Sequence, residues 1–377
     1  MRSPSNFNTR VILIRHGRST FNQLKLYQGS SDASVLTEQG YDTACQVGQL
    51  LSDRSIDAIY SSPLKRVQQT VNALLEEFYD RPKHLEVHPS LREIEMSNWE
   101  GRSYRDVQQT EPETYQCWKQ QPHEFRLQSR DADATGSIAV VTQTHSYPVL
   151  DLFDRTRQFW QEILPRHRGQ TIVIVSHGGT NRALISTAIE LAPARFHSLQ
   201  QSNCGISILN FSSETAQLET LNLTAPIGEA LPKLKEGKQG IRLLLLPVES
   251  PLSSAVCLSE RLKNTAIDFS LTSVSDIAQN LAAQVLCHHP KTVGIQSNAA
   301  HSLLNWQRTI ATKSSYSSEL ITGLVVAQTR EIQQALGEAI GLNPNHHDRL
   351  QVQPGTLSVL HYPTANYSPV IQALNFA

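Results

Sequence analysis

The chain has 377 residues, more than a single hydrophobic core usually serves, which predicts two domains. Its 33 Lys+Arg stand against 34 Asp+Glu, a formal net charge of -1, so nothing advertises a surface for nucleic acid or an anionic membrane, and any anion recognition must be local. The five cysteines, Cys45, Cys117, Cys204, Cys257 and Cys287, are odd in number and scattered without a CxxC pair; this argues against a disulfide framework and a zinc site and fits a reducing compartment.

Met1 to Arg10 is polar with no apolar h-region, and no stretch approaches a membrane span, so a cytosolic protein without a cleaved signal is expected. The run Val11-Ile12-Leu13-Ile14 predicts a buried strand over 10–15, and Arg15-His16-Gly17 follows at its exit. Thr37 is placed to cap a helix running to about Ser52. Ile56 to Tyr60 reads as a short strand and Ser61-Ser62-Pro63 as the turn into a helix over Leu64 to Tyr79, with Arg66 in its first turn. Leu85 to His88 reads as a strand leading to Leu91-Arg92-Glu93-Ile94 and Trp99-Glu100-Gly101. Residues 102 to 147 form a polar excursion with helical pieces, and Leu150 to Leu164 a helix. Ile172 to Val175 is a second apolar run with a histidine at its exit, Ser176-His177-Gly178-Gly179. Strands alternating with helices imply a largely parallel sheet, and ligands of such sheets bind beyond the strands' carboxyl ends. The two histidines are therefore expected to meet in one crevice.

After Phe211 the pattern changes, and Ala225 to Gly240, rich in Pro, Gly, Lys and Glu, reads as a linker. The predicted units are residues 1–225, a linker over 226–240 and a second unit over 241–377. The second unit reads as a divergent copy of the first. Ala188 to Pro193 lies opposite Ala339 to Pro344, and in that frame Val173 to Val175 lies opposite Leu324 to Val326; Val11 to Ile14 likewise matches Leu243 to Leu246. The copy keeps the strands but has Val248 opposite His16, Ser302 opposite Arg66 and Gln328 opposite His177.

Cleaving a phosphate monoester takes cations for the phosphoryl oxygens, an in-line nucleophile and an acid for the leaving alkoxide. Arg15 and Arg66 supply planar, permanently charged forks. His16 or His177 could attack through a neutral ring nitrogen, and Glu93 could shuttle the proton. This scheme needs no metal and no cofactor.

Arg15-His16-Gly17, followed by Asn22, Gln28-Gly29 and Leu36-Thr37-Glu38-Gln39-Gly40, resembles the N-terminal signature of the histidine phosphatase superfamily, in its phosphoglycerate mutase-like branch. Ser61-Ser62-Pro63-Leu64-Lys65-Arg66, Leu91-Arg92-Glu93-Ile94 and Ser176-His177-Gly178-Gly179 match its later signatures in the same order. The resemblance covers residues 10 to about 211. It implies an α/β three-layer sandwich with a mostly parallel sheet, followed here by a degenerate second copy of the same fold. It also implies that His16 is the phosphorylated nucleophile, that Arg15, Asn22, Arg66 and His177 hold the phosphoryl oxygens, and that Glu93 is the general acid and base. Gln28, Gly29, Ser62 and Gly178 are expected around phosphate or substrate, Ser62 at the pocket rim. Position 18, often acidic in the family, is Arg18 here and is read as facing solvent. Where the family's phosphatases carry a Gly-Glu-Ser segment, this chain has Thr144-His145-Ser146-Tyr147-Pro148.

Simpler roles are expected for other residues. Trp99 is expected in the core and Arg92 and Glu95 on the surface, with Glu95 the rival to Glu93 as the acid. Arg102, Arg105, His123, Arg126, Arg130 and His145 are read as mostly surface, with one or two meeting an anionic group of the substrate. The pairs His288-His289 and His346-His347 are expected at the surface rather than at a metal. The functional expectation is a metal-independent phosphomonoesterase, acting on a small anionic phosphometabolite such as a sugar-acid phosphate. An active domain joined to a degenerate copy is similar to the two-domain 2-carboxy-D-arabinitol-1-phosphate phosphatases. Phosphoserine is the rival substrate, and the Asn98-Trp99-Glu100-Gly101 segment favours hydrolysis over the phosphoglycerate mutase reaction. A non-catalytic phosphometabolite sensor is the alternative of another class, disfavoured because binding needs no acid. A small-molecule phosphomonoester is the expected partner, with no nucleic acid, no membrane and a homodimer possible.

Overall fold

The computed structural model describes the chain except for residues 1–7, 129–144, 213–214, 236–238, 299–302, 308–318, 364–366 and 377. Arg130 and Ser302 lie outside the described residues. Strands β1 (Thr9–Arg15), β2 (Ala58–Ser61) and β3 (His84–Val87) alternate with helices α1 (Thr20–Leu24), α2 (Glu38–Leu51) and α3 (Lys65–Glu76). The polar excursion holds α4 (Tyr104–Thr110), α5 (Pro112–Gln120) and a small hairpin, β4 (Leu127–Gln128) with β5 (His145–Ser146). Next come α6 (Pro148–Ile163), β6 (Thr171–Ser176), α7 (Gly178–Ala188), β7 (Ile206–Phe211) and β8 (Ala216–Leu223). The second half contains β9 (Gly240–Pro247), α8 (Leu252–Leu262), β10 (Phe269–Ser273), α9 (Asp276–Val285), β11 (Val293–Ser297), β12 (Leu320–Ala327), the helix Thr329–Ile340, β13 (Leu357–Tyr362) and β14 (Val370–Phe376).

The strands form one twelve-stranded sheet in the order β11-β10-β12-β9-β13-β14-β8-β7-β1-β6-β2-β3. From its centre outward, each half has the same sequence of pairings. β8 and β7, then β7 and β1, are antiparallel, and β1-β6, β6-β2 and β2-β3 are parallel. β14-β13 and β13-β9 are likewise antiparallel, and β9-β12, β12-β10 and β10-β11 parallel. Even the irregularities recur. Register shifts fall between Ile206, Ile208 and Leu209 in one hairpin and between Leu357, Val359 and Leu360 in the other. Near the end of β8, Asn222 adopts a left-handed backbone with φ 53°, and near the end of β14, Asn375 does so with φ 54°. The halves meet where β14 pairs with β8, with Leu374 opposite Leu221.

The continuous apolar runs of the sequence are explained by burial on both faces. Alternate side chains feed opposite cores: Val11 and Leu13 enter a core shared with α6, α7 and the helix Thr329–Ile340, while Ile12 and Ile14 pack under α2 and α3. β9 does the same, with Leu243 and Leu245 in the shared core and Leu244 and Leu246 under α8 and α9. One face of the sheet thus carries a core continuous across both halves, and the other carries two separate ones. The excursion has its own cluster around Trp99, Trp118, Phe125 and Phe153, which places Trp99 in the core as expected. Arg92 and Glu95 are exposed. Among the described residues no helix is long and apolar enough to cross a membrane.

Candidate active site

Two neighbouring parallel strands of the first half, β1 and β6, end side by side, with Arg15 paired to Ser176 in register. The residues just beyond them therefore emerge together, and the rings of His16 and His177 lie edge to face with centroids 5.3 Å apart. His16 is buried, and its Nδ1 contacts the carbonyl of Gly17 at 2.7 Å. A carbonyl only accepts, so Nδ1 carries the proton and Nε2 presents its lone pair. Burial, followed by the positive charges of Arg15 and Arg66, holds the His16 ring well below the ordinary histidine pKa. His177 is held down in the same way, first by burial and then by Arg66, His16, Arg15 and Arg155. Its Nε2 lies 2.7 Å from the Ser62 hydroxyl, while its buried Nδ1 has no partner in the protein.

The arginines are held by backbone carbonyls, which orient a guanidinium without cancelling its charge. Arg66, fully buried in the first turn of α3, donates to Ser31 O at 3.0 Å and Gly29 O at 2.9 Å; Arg15 donates to Gln201 O at 2.9 Å. Both Nε atoms are buried without a protein partner. Burial lowers the pKa of each arginine, and Glu93 is the largest influence raising it. Glu93 sits over the start of α7. Its Oε1 accepts from Ile94 N at 2.9 Å and Thr180 N at 3.1 Å, and its Oε2 from Gly179 N at 3.2 Å, while the Thr180 hydroxyl donates to Arg92 O at 2.7 Å. A Cβ on Gly179 would come 2.5 Å from Glu93 Oε1 and displace the carboxylate, and one on Gly178 would press on Arg15 Nε at 3.3 Å.

His16, His177, Arg15, Arg66 and Glu93 are thus gathered at one place, with Gly178 against Arg15. Asn22 caps this corner. Its Oδ1 accepts from Ser19 N and Ser19 Oγ and, at 2.9 Å, from Asn203 Nδ2. One expected position, that of Ser62, is corrected, and Gly29 and Gln28 have partners within the protein. Ser62 is buried rather than at a rim, and its hydroxyl orients His177. Gly29 gives its N–H to Glu100 and its carbonyl to Arg66, so its backbone is committed to positioning that arginine. Gln28 places Oε1 against the Ser19 hydroxyl at 2.9 Å, which makes it a support for the α1 cap. Arg18 is exposed and donates to Gln39.

Three residues near the site escaped the sequence reading. Asn203 donates to the carbonyls of His16 and Gly17. Arg155 of α6 donates to the carbonyls of Arg92 and Glu93, holding the loop that carries the acid. Lys235 donates to the carbonyl of Gln201. Only Arg155 left a usable signal: it flanks the apolar stripe Val149, Leu152, Phe153, Thr156 and Phe159, all buried. The excursion's Arg102 is engaged by Asp106 and Glu111, and Arg105 is exposed. His288 pairs with Glu260 and His346 with Glu190, and among the described residues no group of three His, Cys, Asp or Glu is arranged to hold a metal.

A family model, histidine phosphatase superfamily (branch 1), matches residues 11–224. A probable 2-carboxy-D-arabinitol-1-phosphatase of Arabidopsis thaliana is 35% identical over 202 residues, which is 54% of this chain and 38% of that protein. The 2-carboxy-D-arabinitol-1-phosphatase of Triticum aestivum is 33% identical over 205 residues, 54% of this chain and 37% of that protein. This chain therefore spans less than two fifths of the length of either plant relative. Phosphoserine phosphatase 1 of Hydrogenobacter thermophilus is 30% identical over 222 residues, 58% of this chain and 95% of that protein. With the family match covering more than half of the sequence and the site assembled inside it, the chain belongs to the histidine phosphatase superfamily, branch 1.

Proposed function

We propose that the chain is a metal-independent phosphomonoesterase working through a phosphohistidine on His16. The observation that carries this reading is the His16 Nδ1 contact with Gly17 O, which leaves Nε2 as a neutral nucleophile beside two arginines. Nε2 attacks phosphorus as the ester P–O bond breaks, and Glu93 gives its proton to the departing alkoxide. Water then attacks the phosphohistidine, Glu93 takes a proton from it, and the N–P bond breaks to release inorganic phosphate. Oε1 of Glu93 takes two backbone N–H groups and Oε2 one, so Oε2 is the oxygen with more capacity for the transferred proton. Arg15, Arg66 and the open Nδ1 of His177, protonated while its Nε2 accepts from Ser62, meet the phosphoryl oxygens.

The substrate class is a small anionic phosphometabolite. The names of the two plant relatives support a sugar-acid phosphate such as 2-carboxy-D-arabinitol 1-phosphate. Phosphoserine is a second reading, supported by the relative that the chain covers almost completely. The second half is assigned as a degenerate copy, supported by its repeated strand order, and as a stand-in for a partner subunit, because β14 already occupies the β8 edge. All five cysteines are free thiols, which supports a reducing, cytoplasmic setting.

The test is phosphate release from a panel of phosphomonoesters by wild type and His16→Ala, with and without chelator. Release by wild type alone, unchanged by chelator, is expected. Equal release by both proteins contradicts the mechanism. Loss of release with chelator contradicts metal independence, and isomerised phosphoglycerate without free phosphate indicates the mutase reaction instead.

A further inference from the structure

The segment joining the two halves is fastened against the active site. Gln200 donates from Nε2 to Lys233 O at 3.0 Å, and Gln372 of β14 donates to Gln200 Oε1 at 3.2 Å. Buried Arg242 of β9 donates to Pro232 O at 2.7 Å. β9 and β14 both belong to the second half, so that half pins the segment onto the loop that precedes β7. Two residues past Lys233, Lys235 donates its ammonium to Gln201 O, the carbonyl that also takes Arg15 Nη1 at 2.9 Å. Lys235 and Arg15 thus donate to the same carbonyl. The lysine is also near enough to His16 to depress the proton affinity of its ring.

Lys235 differs from the arginines in exposure. Arg66 is fully buried, whereas Lys235 faces solvent. Beside it, the side chain of Gln201 is 1% exposed, and neither of its amide atoms has a partner in the protein. The phosphoryl group is already matched by Arg15, Arg66 and the histidines. An exposed, compact ammonium that shares a carbonyl with Arg15, next to a buried amide with donor and acceptor capacity, suits a second anionic group a few bonds from phosphorus.

We propose that Lys235, seated by the second half, binds the carboxylate of a substrate whose phosphate lies at His16, and so selects phosphorylated acids over phosphomonoesters lacking a carboxylate. This rests on the phosphomonoesterase reading of the same site. The test uses matched pairs, phosphoserine against phosphoethanolamine and 3-phosphoglycerate against glycerol 3-phosphate, with the full-length wild type, Lys235→Met and Lys235→Arg. A charge-assisted contact of this kind gives about a tenfold to hundredfold preference. Lys235→Met should therefore lower the kcat/KM ratio of acid to non-acid at least about tenfold, and Lys235→Arg should restore most of it. A ratio within about twofold of wild type overturns the proposal, including the case in which both members of a pair fall equally. The same ratios are read as Kd by calorimetry in a His16→Ala background, where turnover plays no part. Carboxylate-dependent binding that collapses with Lys235→Met, combined with no turnover by wild type, sustains the subsite and refutes the phosphatase reading. Absence of any carboxylate preference in binding refutes the subsite alone.

Discussion

Asp57 accepts the N–H of Thr171 at 2.8 Å in the first half, and Asp268 accepts that of Thr322 at 2.7 Å in the second. The hydroxyl of Ser207 accepts the N–H of Asn222, and that of Ser358 the N–H of Asn375. These polar residues serve backbone groups of the sheet, and both halves keep them. At the strand exits the halves part. Where β1 and β6 deliver His16 and His177, β9 and β12 deliver Val248 and Gln328. At the start of the helix Thr329–Ile340, Glu249 accepts the N–H and hydroxyl of Thr329 at 3.1 and 2.8 Å. Each half thus has a carboxylate at this helix start, Glu93 over α7 and Glu249 here, and the halves differ in the histidines and arginines around it. Polar residues that satisfy the fold survive in both halves, and those suited to chemistry occur once.

The largest effect expected from this contrast is loss of His16. His16→Ala should lower kcat by roughly ten-thousandfold or more. Adding Val248→His and Gln328→His to that variant should recover no phosphate release, since the second half still lacks counterparts of Arg15 and Arg66. Recovery would break the contrast. Glu93→Gln keeps the shape but cannot carry a proton, and steady-state turnover should fall by about a hundredfold to ten-thousandfold. Rapid quench should show whether phosphoenzyme formation or its hydrolysis has slowed.

The retained residues should behave alike in the two halves. Asn222→Ala and Asn375→Ala each orphan buried backbone groups, and each should cost about 2 kcal/mol in denaturant unfolding. A silent Asn375→Ala would show that the second half's irregular strand end is not held by that side chain. Acid sensitivity should trace to the first half. The lowered folded pKa values of His16 and His177 mean that the unfolded chain binds protons first as pH falls. Their contribution is fully present above about pH 6.5 and declines below it, by up to roughly 1 kcal/mol per pH unit for each histidine. His177→Gln should flatten that slope when stability is followed from pH 7 to pH 5. The smallest effect belongs to Arg18→Glu, which restores the family's acidic residue on an exposed side chain and should change kcat/KM by less than about twofold.

What could be read in the sequence was local. Apolar runs with glycine-flanked histidines mark strands whose exits suit chemistry, and aligning the two halves shows which exits carry Val248 and Gln328 instead. The rest depends on distant partners. Gln200, Gln201 and Ser202 look like a surface loop, yet all are buried, because β14 and the connecting segment close over them. Residues 226–240 read as a linker from composition, and no periodicity reveals that Lys235 reaches the carbonyl that holds Arg15. Nothing local to Ser62 shows that it is buried, because its partner, His177, lies 115 residues away. Joining of the halves through β8 and β14 also left no signal, since edge and central strands differ by neighbours rather than by pattern.

The central claim is that a chemistry-bearing exit occurs once, at His16. The most direct measurement is rapid denaturing quench of the full-length wild type during turnover of a phosphoryl-labelled substrate, followed by peptide mapping. The account predicts at most one acid-labile, alkali-stable phosphoryl group per chain, on the peptide containing His16 and absent from His16→Ala. Acid-stable label, label elsewhere in the chain, or two equivalents per chain would contradict it.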